Sequence, residues 1–374
     1  MELPPYQLID TESAWQECLE ILRHQPRLAV DLEANSLYAY QEQVCLFQIS
    51  VPGHDFIIDP LADINLDGLG ELFADAGTEK VFHSSSYDLM LIKYHYGWDV
   101  VNLFDTMWGG RILGHKNMGL AWFLQDFYGI ELSKRFQKAN WAQRPLSDEM
   151  LAYAQRDTHY LLRLRDELAA RLKAQGCLEE AFEIFANECR VAMPERSFNP
   201  DGFWGVGGAR ELRPRAQAIL KAHYLFRDKE ARERNWPPFK VLGEERLLLL
   251  ARHAPKTEHE LAGLHCLSKQ QLERLGPELL KAIAEGRRMR PPVLPRQQRR
   301  HSADAARRYK ALFEWRRDAA AKRGVESDVV LTRESMWQIA EANPRTIEEF
   351  DRVATLGPHR RGLYAEEILK LLAS

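Results

Sequence analysis

No apolar run in the chain approaches the roughly 18 residues that a membrane span needs, so a transmembrane helix is excluded. The opening MELPPYQLID lacks a basic segment followed by an apolar one, and no secretory leader is expected. Cysteine is sparse. Cys18, Cys45, Cys177, Cys189 and Cys266 are odd in number and never stand at C-x-x-C spacing. That pattern argues against a disulfide framework and against a zinc site, and it points to a reducing compartment, by default the cytoplasm.

What the chain does contain is an uneven distribution of charge. The formal net charge of −3 splits into −13 over residues 1–190 and +10 over residues 191–374. Two halves of opposite sign suggest two jobs, with the basic half suited to a polyanionic partner or merely solvated. At 374 residues, 45% apolar and 28% charged, the chain is a globular protein of two or three domains.

Residues 1–190 alternate strand-like and helix-like segments. RLAVDLE, QVCLFQISV and HDFIIDP read as three closely spaced strands, hence antiparallel neighbours. EKVFH is a further strand leading into the helix SSYDLMLIKYHYG, stopped by Gly97. From Asp148 to about Gly176 the periodicity predicts one long amphipathic helix. The mixture is that of an α/β domain, a mixed sheet flanked by helices. Residues 191–211 are dense in Gly and Pro and read as a hinge; residues 287–302 combine Pro291, Pro292 and Pro295 with six arginines (Arg287, Arg288, Arg290, Arg296, Arg299, Arg300) and read as an extended basic tether.

The segments on either side of the tether, 212–286 and 303–374, are copies of one another. A shift of 89 residues aligns KAHYLFRDKEARER (221–234) with KALFEWRRDAAAKR (310–323), and, without a gap, residues 241–261 with 330–350. Lys221/Lys310, Arg227/Arg316, Pro255/Pro344, Thr257/Thr346 and Glu260/Glu349 are identical pairs. Two small all-helical modules are expected. The Thr-x-x-Glu in each is a capping-box pattern that starts a helix.

The candidate site is a set of acidic residues. Asp31 and Glu33, two apart on a strand, share a face and repel one another unless a cation lies between them. Asp88 stands one turn into a helix, where an Asp is ordinarily a cap. Tyr153 and Asp157, four apart, share one helix face. Singly, each has an ordinary structural explanation. Their order is what carries information: Asp-x-Glu on an early strand, Asp on a helix about 55 residues on, and Tyr-x-x-x-Asp about 65 residues after that.

That arrangement resembles the DEDD exonuclease superfamily in its tyrosine branch. ELSKRFQKANWAQRPLSDEMLAYAQRD, with its Trp141-x-x-Arg144-Pro145-Leu146 run, is similar to the ribonuclease D family, and the repeated modules resemble HRDC domains. The resemblance covers nearly the whole chain and implies a ribonuclease H-like exonuclease domain. It departs from the wider superfamily at His83-Ser84, where an Asn is often found, and no role is carried over to either. His159, two beyond Asp157, is expected to point off the site face.

Four carboxylates without a His/Cys cluster form an oxygen-only site, which selects Mg²⁺ or Mn²⁺ over zinc. Two such ions about 4 Å apart can activate water and stabilise a leaving oxygen. The resemblance implies that Asp31 bridges both ions, with Glu33, Asp88 and Asp157 completing the shells. Tyr153, with an ordinary pKa near 10, is a poor base and better suited to orienting the attacking water. The implied reaction is 3′→5′ hydrolysis of RNA to 5′-mononucleotides, with precursor-tRNA 3′ ends as substrates. A DNA-directed exonuclease and a non-catalytic RNA-binding scaffold remain alternatives, since the carboxylates do not themselves tell ribose from deoxyribose.

Overall fold

A computed structural model describes residues 3–192, 197–294 and 301–373, which gather into two compact units. The first holds residues 3–34, 44–192 and 301–373; the second holds residues 35–43 and 197–294.

The α/β part of the first unit runs β1 (Gln7–Ile9), α1 (Glu12–Arg23), β2 (Arg27–Ala34), β3 (Val44–Val51), β4 (His54–Ile58), α2 (Asp67–Ala74) and β5 (Glu79–Phe82). It continues through α3 (Ser86–Tyr96), β6 (Leu103–Asp105), α4 (Thr106–Ile112), α5 (Leu120–Tyr128), α6 (Asp148–His159), α7 (Leu161–Ala174) and α8 (Leu178–Glu188). The strands form one mixed sheet in the order β1-β4-β3-β2-β5-β6. β2, β3 and β4 are antiparallel neighbours, as their short connections predict, and β1, β5 and β6 join in parallel. Every residue of β3 is buried, the mark of a strand covered on both faces. Ala29 in β2 is as fully buried as Leu28 and Val30, so the face that goes on to Asp31 and Glu33 is not a solvent face.

The long helix expected from Asp148 to Gly176 is two helices. α6 is bonded to the sheet through Gln155, Thr158 and His159. The buried stripe of α7, Leu161, Leu164, Leu168 and Leu172, belongs to an element packed on β2, β5 and α4. Sheets twist, and one straight axis does not serve both sets of contacts. The chain turns at Tyr160, which caps both helices at φ −97° and ψ −5°. Ahead of α6, Arg144 forks onto Asp59 with two bonds of 2.6 Å and donates to the carbonyls of Cys45 and Trp141. The Trp141–Leu146 run thereby fastens the approach to α6 onto the sheet.

In the second unit the first helical module comprises α9 (Pro214–Glu233), α10 (Pro238–Val241), α11 (Glu244–His253), α12 (Glu258–Gly263) and α13 (Lys269–Arg288). The other module comprises α14 (Ala303–Arg323), α15 (Ser327–Val330), α16 (Arg333–Ala342), α17 (Ile347–Val353) and α18 (Pro358–Ala373). All five helix starts repeat at the 89-residue shift. So do the caps: the Thr257 and Thr346 hydroxyls accept from the amides of Glu260 and Glu349. The two glutamates reach back to the amides of Lys256 and Arg345, one residue before the expected capping-box partner.

Two expected breaks are narrower than the sequence suggests. The latter part of the 191–211 hinge is packed structure: Phe203, Trp204, Val206 and Ala209 are buried in the first module's core. At the other end, α13 continues through Arg288, two residues into the expected tether. Gly286 lies inside that helix, where a Cβ would stand 2.6 Å from the Ile219 Cα, so the glycine permits a close crossing of α9. Arg287 and Arg288 are therefore helical, and Arg287 donates to the Ala254 carbonyl. Pro295, Arg296, Arg299 and Arg300 lie outside the described residues.

The second module is built into the first unit. Arg323 forks onto the buried Glu180 at 2.6 and 2.8 Å and also donates to the Tyr364 hydroxyl. Glu183 accepts from the His359 and Arg360 amides at the start of α18, and Arg111 pairs with Asp328 at 2.8 Å. At the shifted position in the first module, Arg234 pairs with Glu230 one turn back and lies over the Trp236 ring, both within its own module. Arg323→Ala strands a buried carboxylate and should lower the unfolding free energy by about 2–3 kcal/mol in a urea titration. Arg234→Ala removes a same-helix pair and should cost no more than about 0.5 kcal/mol. Equal losses would contradict this division.

Candidate active site

β2 delivers the first two carboxylates. It ends in a register shift between Glu33 and Ala34, so the strand bends where the acidic residues stand. α6 lies over that face and brings in Asp157. Asp31, Glu33 and Asp157 each offer a carboxylate oxygen, and these atoms lie within 4.8 Å of one another. Asp88, the third residue of α3, is buried beside them. It stands outside that tight trio, yet close enough for its charge to act on Glu33 and for the charge of Asp31 to act on it. Tyr153 stands one turn before Asp157 on α6, with its ring against Phe136 and Trp141 at centroid distances of 5.8 and 6.0 Å. All five residues singled out in the sequence are thus gathered around one point.

The electrostatics of the cluster are those of a cation-binding site. Burial, and only secondarily neighbouring charge, drives the protonation equilibria upward. Asp31 is raised to about 7, mainly by burial. Glu33 is raised well above the ordinary range by burial and by Asp31, Asp157 and Asp88. Asp88 and Asp157 move the same way, by burial and then by the charge of Asp31. Tyr153 is raised by burial and by Asp157, Glu33 and Asp31, so its hydroxyl stays protonated at neutral pH. An oxygen-only set of carboxylates that resist ionising together fits hard divalent cations. A cation among them would reverse every one of these shifts.

Sequence reasoning missed the groups that hold this cluster in place. Asp55, on β4, is buried, and its Oδ2 accepts from Gln155 Nε2 at 2.7 Å and His159 Nδ1 at 2.8 Å. Burial would raise its pKa, but the bonds from His159, Ser50 and Gln155 outweigh that and lower it. The Ser50 and Thr158 hydroxyls meet at 2.7 Å in the same network. These contacts pin α6 to the sheet, and His159 is turned to Asp55, off the site face as its spacing predicts. Around the second element, His83 Nδ1 lies 2.9 Å from the Thr106 hydroxyl, which itself donates to the Phe82 carbonyl, so His83 is the donor. Nothing in a linear sequence marks Asp55, because Gln155 and His159 lie on a distant element. Beside Tyr153 and Asp157 opens a cavity of about 250 Å³, lined also by Arg135, Phe136 and Arg156.

A mixed sheet carrying this acidic centre, with two copies of a five-helix module after it, defines the class: a 3′–5′ exonuclease domain joined to two HRDC domains. The 3′–5′ exonuclease family matches residues 6–173, and the HRDC domain matches residues 216–283 and 305–372. Ribonuclease D from Pseudomonas paraeruginosa is 32% identical over 284 residues, covering 75% of this chain and 74% of that protein. The structure of Escherichia coli RNase D aligns over 99% of both chains with a TM-score of 0.66 and 25% identity. The chain belongs to the ribonuclease D family of 3′–5′ exoribonucleases. The exosome complex component 10 homolog of Caenorhabditis elegans is 33% identical over 291 residues, and the chain spans about a third of that longer protein.

The raised carboxyls make a prediction about pH. Without metal, folded Asp31 keeps its proton up to about pH 7, whereas the unfolded chain releases it near 3.8. The folded state therefore loses stability as pH climbs from about 4 to about 7, and the loss is complete above that. In EDTA, the melting temperature of the wild type should fall across this window relative to Asp31→Asn. Added Mg²⁺ should recover it, more at pH about 7.5 than at about 5. A constant difference between the two proteins across the window would contradict the assignment.

Proposed function

We propose that the chain trims RNA from its 3′ end at this site, with Asp31, Glu33, Asp88 and Asp157 holding Mg²⁺ or Mn²⁺, two ions in the fullest form of the reading. The observation that carries it is the convergence of β2, α3 and α6 on one half-buried point with only carboxylate oxygens to offer. When bound, the ions supply compensating positive charge for the attacked phosphate and for the oxygen that leaves. The chain's own residues do the rest. The four carboxylates fix where that charge sits. Tyr153, held protonated, donates a hydrogen bond that orients the attacking water rather than removing its proton. Water adds to the phosphorus of the last phosphodiester and releases a proton to solvent, the bond to the preceding 3′ oxygen breaks, that oxygen takes up a proton from solvent, and a 5′-mononucleotide leaves. The cavity bounded by Phe136, Arg135 and Arg156 offers an aromatic face and positive charge to a nucleotide beside the reacting bond.

Precursor-tRNA 3′ ends are the substrates we favour. The Escherichia coli neighbour is described as an exoribonuclease involved in structured RNA processing, which supports that choice. The cytoplasm is the proposed setting; the five cysteines are free thiols, in keeping with it. No helix among the described residues is long and apolar enough to cross a membrane.

A labelled precursor tRNA compared with single-stranded DNA, with and without Mg²⁺, tests the reading. Wild type should shorten the RNA stepwise only with metal, and Asp31→Asn should leave both substrates intact while keeping its fold. Faster loss of the DNA would favour a deoxyribonuclease. Tyr153→Phe should lower kcat by about 10–100-fold with Mg²⁺ binding nearly unchanged. Unaltered turnover would remove Tyr153 from the mechanism.

A further inference from the structure

Asp105, the last residue of β6, is fully buried and accepts five hydrogen bonds. Its Oδ1 takes the amides of Ser84 (3.2 Å), Met107 (2.8 Å) and Trp108 (3.1 Å). Its Oδ2 takes the amide and the hydroxyl of Ser85, at 2.7 and 2.8 Å. Two of the five are the ordinary N-cap of α4. The other three go to a different element, the turn from β5 into α3.

That turn depends on them. Ser84 sits at φ 66°, a left-handed conformation that a residue other than glycine keeps only when its surroundings impose it. Ser85 is the N-cap of α3, yet its hydroxyl does not cap its own helix and is given to Asp105 instead. Asp88 follows three residues later. Where α3 starts, and how it is rotated, therefore decides where the Asp88 carboxylate stands. No other side chain among the described residues bonds to both amides of this turn.

We infer that Asp105 is a positioning residue for Asp88, fixing it in the cation site through the backbone of Ser84 and Ser85. The inference rests on the reading of Asp88 as a metal ligand. Asp105 acts at one remove, as groups behind the ligands of a metal site do when they lock ligand geometry.

The substitution Asp105→Asn separates the two duties. The carbonyl oxygen of the new side chain can remain on Ser84, Met107 and Trp108 and keep the cap of α4. Its NH₂ group then faces the Ser85 N–H, donor against donor, so the bond that seats the first turn of α3 is lost while the Ser84 amide stays tied. The experiment uses the full chain as wild type, Asp88→Asn, Asp105→Asn and Ser85→Ala. Mn²⁺ affinity is read by calorimetry and by electron paramagnetic resonance, alongside the Mg²⁺ dependence of hydrolysis of a ribo-oligonucleotide and the melting temperature. Asp105→Asn should weaken Mn²⁺ binding by about tenfold and raise the half-activating Mg²⁺ concentration to match. Its kcat should fall while KM for RNA holds. Ser85→Ala, which removes one of the two bonds to Oδ2, should shift Mn²⁺ affinity in the same direction by less.

Wild-type Mn²⁺ affinity and Mg²⁺ dependence in Asp105→Asn, with only a lower melting temperature, would overturn the inference and leave Asp105 as a helix cap. If that variant does not fold, wild-type Mn²⁺ affinity in Ser85→Ala overturns it equally. Wild-type Mn²⁺ affinity in Asp88→Asn would instead remove the premise that Asp88 is a ligand.

Discussion

Like charges forced together out of water are the constraint around which this domain is organised. Asp31, Glu33, Asp88 and Asp157 are each buried enough that losing a proton is costly, and each makes the next loss costlier. A protein gains nothing in stability from such a cluster, and a cation is the group that turns the cost into binding. The surrounding fold holds in place what would otherwise fly apart.

The holding is done from behind. On one side Asp55 grips Gln155 and His159, flanking Asp157 on its own helix. On another, Asp105 gathers the amides at the head of α3. Arg144 locks the approach to α6 with a two-pronged bond to Asp59. Each device joins residues tens of positions apart, and each places a carboxylate or its helix rather than touching the centre itself. The strand Arg27–Ala34 is buried in the middle of the sheet for the same reason: a ligand on a rigid central strand is placed more exactly than one on a loop.

How much of this the sequence reveals follows from the range of the forces involved. Alternation along RLAVDLE fixes which face Asp31 and Glu33 share, because strand geometry is local. The four-residue spacing of Tyr153 and Asp157 is equally local. The duplication is legible because it is a comparison of the chain with itself. The break at Tyr160 is not, since both halves are good helix and only the twisted sheet beneath them demands a turn. Arg287 and Arg288 are hidden for a related reason: beside a proline-rich run they read as tether, yet they continue α13. The bonds from Asp55 to α6 and from Asp105 to the turn before α3 are invisible in one dimension, as any buried contact between distant segments must be.

The duplicated module sets a hazard for the folding chain, since two bodies with the same helix layout compete for one berth on α4 and α8. The berth reads three side chains of the later copy, Arg323, Asp328 and Arg360. At those positions the earlier copy has Arg234, Phe239 and Gln271. Phe239 has no charge to offer Arg111, and Gln271 has none for Glu183, so the earlier copy seated there would leave ionic groups stranded in a dry interface. Divergence at two of three places therefore acts as an address, steering each copy to its own destination while the shared helices beneath keep the same layout.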